Sequence, residues 1–216
     1  LAASSTVFER AYVSQAVCTP SRSTIMTGLW PHASGMVANN VPLPPSVPCL
    51  AEMLPPGVFA AGYHGKWHLG DEIFPQHGFD DWVSVEDMYA AHYSPGRDRS
   101  ARSSYHHWLV GQDIQPSNGK TFGRTETARL EEALSKPAFL AETAGRFIRD
   151  HAGGPWVLCV NFLEPHMPFF GPRDGQYDPA EVTLPANFEA VPSPDQPLKA
   201  RMFARHYRAN GHSGLP

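Results

Sequence analysis

The sequence has few cysteines, and their spacing excludes several kinds of site. The three cysteines stand at positions 18, 49 and 159, and no two of them form a C-x-x-C pair. Zinc knuckles and thioredoxin-type redox motifs need such pairs, so neither is expected. A protein tyrosine phosphatase loop needs an arginine six residues after its cysteine. Those positions hold Thr24, Pro55 and Pro165, which excludes that class.

The sequence also lacks an excess of positive charge and any long apolar run. It has 17 Lys and Arg against 21 Asp and Glu, a formal net charge of −4, so nothing electrostatic favours nucleic acid as a partner. No apolar run approaches the roughly 20 residues of a membrane span, and none is expected. No signal peptide pattern is visible and the chain does not begin with Met. Periplasmic, secreted and cytoplasmic locations therefore all remain open.

The composition is that of a folded, loop-rich protein. Hydrophobic residues make up 42% of the 216 residues and charged residues 18%, which is enough to bury a core. The counts of 22 Pro and 18 Gly are high and indicate many irregular segments. The length fits one domain or a piece of a larger one.

Hydrophobic patterns predict alternating helices and strands. Thr19 is predicted to cap a helix that buries Ile25 and Met26 and ends at Thr27-Gly28. Apolar runs at 58–63 and 156–163 predict buried strands.

A second helix is expected between those two strands. Residues 139–150 place Leu140, Ala144 and Phe147 on one helical face. A helix followed by a buried strand favours an α/β fold with a mainly parallel sheet flanked by helices. Residues 81–123 lack periodicity and are interpreted as surface loop, a loop-rich insertion over a site.

The segment Cys18-Thr19-Pro20-Ser21-Arg22 is the first candidate site. Cys18 stands at a predicted helix N-terminus, where backbone N–H groups and the helix dipole favour an anion. Arg22 lies about one turn further along on the same side. This arrangement would lower a thiol pKa or hold a tetrahedral oxyanion beside a reactive side chain. A buried cysteine at a turn with a surface arginine is the alternative.

Two further candidates follow the predicted strands. Lys66 and His68, two residues apart, would point the same way on an extended strand end, toward the carboxyl edge of the sheet. The alternative is a solvated lysine and a histidine packed beside Trp67. His166 follows the second strand between two prolines that restrict its loop, although a loop histidine is more often an ordinary surface residue.

Together these motifs resemble signatures of the type I, formylglycine-dependent sulfatases of the alkaline-phosphatase-like superfamily. C-x-P-S-R at Cys18, G-K-W-H-L-G at Gly65 and P-H-x-P-F at Pro165 occur in the family's order. The segment Gln76–Trp82 resembles the family's H-G-F-D segment and is interpreted as structural.

The resemblance implies a role for each motif residue. A separate formylglycine-generating enzyme would convert Cys18 to formylglycine, whose hydrate attacks the sulfur of a sulfate ester beside a Ca²⁺ or Mg²⁺ ion. Arg22 would hold the formylglycine oxygens, and Lys66 would contact the sulfate. His68 would bind or orient the hydrate, and His166 would contact the sulfate and protonate the leaving alkoxide. The substrate would be a small-molecule or carbohydrate sulfate ester.

The sequence departs from the family pattern in its metal ligands. Complete sulfatases are about twice this length and carry paired Asp residues after a first strand and an Asp-Asn or Asp-His pair later. Neither pair is found, so residues 1–216 are expected to be a partial catalytic domain without the first strand and the C-terminal part. Cys18, as formylglycine, would be close to the only metal ligand. Little activity and low stability are expected of the chain alone.

Two other functions stay open at this point. A relative of the same superfamily that hydrolyses phosphonate or phosphate monoesters could share C-x-P-S-R, because tetrahedral oxyanions present similar oxygens to Lys, Arg and His. A non-catalytic remnant that binds anions or a protein partner is the third hypothesis.

Overall fold

The computed structural model describes residues 2–188 and 190–210. Contacts divide the chain into two compact units. The first comprises Leu1–Gly123 and Lys136–Leu163, and the second comprises Arg124–Ser135 and Glu164–Pro216.

A parallel sheet forms the centre of the first unit. Its strands are β1 (Ala60–Gly65), β2 (Asp81–Val83) and β3 (Trp156–Asn161), in the order β2-β1-β3. Both pairings are parallel, with Gly62 beside Asp81 on one side and beside Leu158 on the other. Helices join and flank the strands, which confirms the predicted α/β class.

Helix α1 (Cys18–Thr27) precedes the sheet in sequence. It ends at Gly28, whose φ of 71° is the left-handed conformation that glycine adopts without strain. Two details differ from prediction. The N-cap is Val17 rather than Thr19, whose hydroxyl bonds elsewhere. Ile25 is 68% exposed, and only Met26 of the predicted pair is buried.

Helix α5 (Lys136–Asp150) covers one face of the sheet, close to the predicted bounds. It buries Leu140 and Phe147. Gly62 allows this close packing, because a Cβ there would lie 2.8 Å from both Phe147 and Leu158 side chains.

The hydrophobic core lies around the end of β1. Tyr63 and Trp67 meet edge to face with ring centroids 4.8 Å apart, and Phe79 lies 5.3 Å from Tyr63. Phe79 belongs to the segment that resembles H-G-F-D, so its structural interpretation fits this position. The core also includes Met36 and Cys49.

Residues 81–123 differ from the expected surface loop. They include β2, the helix α3 (Ser104–Gly111) and the buried side chains of Tyr105 and Leu109. The hydrophobic pattern does not reveal this ordered structure, because several of the buried side chains are polar and hydrogen-bonded to one another. Buried Asp87 accepts from His106 Nδ1 at 2.8 Å, for example.

Strand β3 is less buried than its apolar sequence predicts. Its residues are exposed or half-buried, because it is an edge strand within the part of the chain that the structure describes. The remaining helices are α2 (Pro31–Ser34) in the first unit, and α4 (Arg124–Thr127) and α6 (Leu198–Asn210) in the second. None of the helices formed by residues 2–188 and 190–210 has the length and apolar character of a membrane span.

Candidate active site

The first turn of α1 begins at Cys18, which is half-buried. The Val17 side chain makes no capping hydrogen bond there. One first-turn donor is engaged, since the Thr19 N–H donates to Asn39 Oδ1 at 3.0 Å. Cys18 therefore lies at the positive end of a ten-residue helix, as the sequence predicts, where a negative charge is stabilised.

The loop after β1 holds the next two predicted residues. The strand ends at Gly65, whose φ is 110° and where a Cβ would lie 2.0 Å from the Asn161 carbonyl oxygen. His68 then adopts a φ of 58°. Lys66 and His68 are thus on an irregular loop, and the expectation that a strand points them the same way is wrong. Both are buried, with Lys66 only 2% exposed.

Hydrogen bonds join this loop to α1. Arg22 Nη1 donates to the Lys66 carbonyl oxygen at 2.6 Å, and the Tyr63 hydroxyl donates to the same oxygen at 2.7 Å. The Thr19 hydroxyl donates to the His68 carbonyl oxygen at 2.8 Å, entirely within the interior. Two motifs about fifty residues apart are therefore held together through the side chains of the first and the backbone of the second.

Glu72 fixes the loop through two hydrogen bonds to its backbone. Its carboxylate accepts the backbone N–H of Trp67 at 2.9 Å and that of His68 at 2.6 Å. Burial raises the pKa of Glu72 to about 7, while the two N–H donors and the Lys66 ammonium lower it in part. Glu72 is a positioning residue that the motifs did not reveal.

Asn40 and Tyr89 complete the surroundings of the His68 ring. His68 Nε2 donates to Asn40 Oδ1 at 2.9 Å, and the Tyr89 ring lies 4.5 Å from it. Asn40 has a φ of 63°, a conformation that Asn tolerates better than most residues. No motif marks either residue, because the contacts join positions 21 and 28 residues away from His68.

His166 belongs to the second unit and is described within it. Its Nδ1 lies 2.9 Å from the Met167 carbonyl oxygen, which can only accept, so Nδ1 donates in this contact. The Arg124 guanidinium lies 3.4 Å from the same nitrogen. That His166 works together with Cys18 remains a prediction.

The calcium site that the resemblance implies can be tested against the available ligands. Ca²⁺ takes six to eight oxygen ligands. Within residues 2–188 and 190–210, one group of three or more His, Cys, Asp or Glu has metal-ligand spacing, namely Cys49, Glu52 and His77. A thiol, an imidazole and one carboxylate do not suit calcium, and the group does not include Cys18. The residues described here thus do not form the implied calcium site.

The first unit has an α/β fold with a parallel sheet and a candidate nucleophile at a helix N-terminus. The family model for sulfatases matches residues 1–194. The chain belongs to the sulfatase family.

Curated relatives agree with this family. The chain is 36% identical over 77 residues to an ulvan-active sulfatase of Formosa agariphila, covering 32% of this chain and 15% of that protein. It is 27% identical to an uncharacterized sulfatase of Escherichia coli, over 80% of this chain and 33% of the relative. It is 30% identical to human N-acetylgalactosamine-6-sulfatase, over 62% of this chain and 29% of the relative. The chain thus spans a third or less of these relatives.

The fold has a counterpart among solved structures. A phosphonate monoester hydrolase from Silicibacter pomeroyi matches with a TM-score of 0.55 and 20% identity, over 78% of this chain and 36% of the other. This likeness supports the fold class.

Proposed function

We propose that this chain carries the nucleophile and part of the sulfate-binding site of a sulfuric ester hydrolase. The observation that carries the proposal is the network that joins α1 to the loop after β1. Through Thr19 and Arg22, it fixes the Cys18 helix against the segment of Lys66 and His68.

Cys18 is the proposed nucleophile position, after conversion to formylglycine by a modifying enzyme. As a hydrate, formylglycine supplies one hydroxyl that attacks sulfur and a second whose deprotonation releases sulfate and restores the aldehyde. The positive end of α1 stabilises the negative charge that develops beside this residue.

Arg22 and Lys66 supply fixed positive charge. Arg22 is anchored through Nη1 to the Lys66 carbonyl oxygen, and a guanidinium has further donors for the formylglycine oxygens. Lys66 is buried, and a cation in a low-dielectric site attracts a sulfate oxygen more strongly than it would in water. Lys66 is therefore the proposed sulfate contact.

The two histidines have separate proposed roles. His68, held by Asn40, orients the formylglycine hydrate. His166 contacts the sulfate and gives a proton to the leaving alkoxide as the ester S–O bond breaks. Because Nδ1 of His166 donates to the Met167 carbonyl, the other ring nitrogen, Nε2, is the one proposed to face substrate.

The proposed substrate is a carbohydrate sulfate ester. This choice rests on the names of two relatives, an ulvan-active sulfatase and an N-acetylgalactosamine-6-sulfatase. We also propose that the isolated 216-residue chain hydrolyses sulfate esters only slowly.

The test measures sulfate release by the full-length protein that contains this chain, produced with the formylglycine-generating enzyme. Cys18→Ala should lower kcat by at least about 1,000-fold, because covalent catalysis is lost. The matched control Cys159→Ser changes a cysteine of β3 and should leave kcat nearly unchanged. Equal turnover by the wild type and Cys18→Ala would reject the proposed nucleophile.

Phosphonate monoester hydrolysis is the second candidate. The structural likeness to a phosphonate monoester hydrolase motivates it, and Arg22 and Lys66 would hold either oxyanion. Comparing kcat/KM for an aryl sulfate and for a phenyl phosphonate monoester separates the two. Sulfatase function predicts the higher value for the sulfate.

A further inference from the structure

A second cluster of reactive side chains lies outside the candidate active site. Cys49, Glu52 and His77 present a thiol sulfur, a carboxylate oxygen and an imidazole nitrogen that all lie within 4.8 Å of one another. Cys49 is fully buried and Glu52 is exposed. None of the three belongs to the network that holds Lys66 and His68.

The cluster is held in place from two sides. Cys49 and Glu52 lie at the start of the 3₁₀ helix Leu50–Met53, where the Cys49 N–H donates to Glu52 Oε2 at 2.8 Å. His77 comes from the turn before β2, with Nδ1 3.1 Å from the same Glu52 oxygen. Gly78 packs that turn against Glu52, since a Cβ there would lie 3.0 Å from Glu52 Cγ.

We propose that Cys49, Glu52 and His77 bind a zinc ion. Zinc takes thiolate, imidazole and carboxylate ligands at about 2.0–2.3 Å in a tetrahedral arrangement, which places ligand atoms about 3.5 Å apart. The Glu52–His77 contact of 3.1 Å already has nearly this spacing. Since all three ligand atoms lie within 4.8 Å of one another, an approach of at most about 1.3 Å by the sulfur completes the three-ligand set.

The ligand types select zinc over calcium. A thiolate is a soft ligand that favours zinc, whereas calcium and magnesium prefer oxygen ligands in larger number. Binding removes the Cys49 proton, which passes to solvent. The Cys49 N–H bond to Glu52 then serves as the outer contact that commonly orients a metal-binding carboxylate.

The ion has a route to the site. Glu52 and His77 both line a surface groove of about 520 Å³, together with Pro42, Gln76 and Arg97. Three protein ligands leave one tetrahedral position, which would face this groove and hold water or a small ligand. The ordinary alternative is a purely structural one, because Cys49 and Glu52 also form a capping box at the start of the 3₁₀ helix.

The test compares zinc binding by the reduced, chelator-stripped full chain and by matched variants. When zinc is added back, the wild type should bind about one zinc ion per chain that calcium does not displace. His77→Gln and Cys49→Ser should weaken zinc binding by at least about 100-fold. His107→Gln and Cys159→Ser change an exposed histidine and a second partly buried cysteine, and should bind zinc like the wild type.

Cobalt provides a direct readout of the sulfur ligand. The Co²⁺-loaded wild type should show a thiolate-to-cobalt charge-transfer band that Cys49→Ser lacks and Cys159→Ser keeps. Circular dichroism of each variant checks that the fold persists, and His77→Gln gives a second comparison if Cys49→Ser unfolds. If the wild type does not bind zinc, or if His77→Gln binds it equally well, the proposal is overturned. Cys49 and Glu52 would then serve only to cap the 3₁₀ helix. Neither measurement depends on sulfatase activity.

Discussion

Among single residues, Glu72 is a carboxyl group buried in the interior beside the candidate active site. It is buried and fixes two consecutive backbone N–H groups next to the proposed sulfate contact. Its pKa of about 7 means that the folded state resists ionisation of this carboxyl at pH values where the unfolded chain ionises it freely. Burial of Glu72 therefore costs free energy at neutral pH, while its two hydrogen bonds fix the loop that carries Lys66 and His68.

Glu72 predicts a specific pH dependence of stability. Between its ordinary pKa of 4.5 and the folded value of about 7, the unfolded state binds fewer protons than the folded state. The contribution of Glu72 is therefore complete below pH 4.5 and is lost as the pH rises through about 7. Glu72→Gln should remove this slope, and denaturant unfolding across that pH range measures it.

The same variant should also lower stability at pH 5. Glutamine has a single acceptor oxygen, so one of the two backbone N–H groups would face the amide NH₂. Leaving a buried N–H unpaired costs about 1–3 kcal/mol. Glu142→Gln, on the exposed side of α5, is the matched control and should change neither the slope nor the stability. An unchanged slope in Glu72→Gln would contradict the assigned pKa.

At the level of elements, the end of β1 connects the sheet to the site. Gly65 has a φ of 110° and no room for a Cβ, because the Asn161 carbonyl oxygen of β3 would lie 2.0 Å away. The Lys66 N–H donates to that oxygen, so the close approach also starts the site loop. A side chain at position 65 would separate β1 from β3 at the point where the loop begins.

Gly65→Ala should therefore destabilise the first unit by about 3 kcal/mol or more, through backbone strain and lost strand pairing. Gly153→Ala is the control, since a Cβ there meets nothing within 4 Å, and it should change stability by less than about 1 kcal/mol. Chemical denaturation of both variants gives the comparison. Similar stability of the two variants would show that the approach of β1 to β3 is less tight than described.

Sequence patterns predict the regular elements better than the contacts among them. The helix starting near Cys18 follows from its capping residues, and the helix over 139–150 follows from its apolar face. Both strands follow from their apolar runs, although β3 is only partly buried. The sequence does not predict ordered structure over residues 81–123, because buried polar pairs such as Asp87 and His106 leave no hydrophobic periodicity. The expected strand position of Lys66 and His68 is also wrong, because β1 ends at Gly65 and both residues lie in the loop after it.

At the level of the whole molecule, family and fold class follow from the sequence, whereas the arrangement around each motif does not. Three short motifs predict a sulfatase, and the family model over residues 1–194 confirms that family. Asn40 is not found from the sequence because it meets His68 across 28 residues only after folding. Glu72 is close in sequence, but no motif or periodicity shows that its carboxylate accepts the N–H groups of Trp67 and His68. The proposed zinc ligands were missed for the same reason as Asn40, since Cys49 and His77 are 28 residues apart.

The central claim is that Cys18 becomes the formylglycine nucleophile, and the mass of the peptide that contains it tests this most directly. The full-length protein is produced with the formylglycine-generating enzyme and digested, and the Cys18 peptide is weighed. The account predicts a mass about 18 Da below that of the cysteine form, because the side chain loses one sulfur and two hydrogens and gains an aldehyde oxygen. An unmodified thiol at Cys18, in a protein that still hydrolyses sulfate esters, would contradict it.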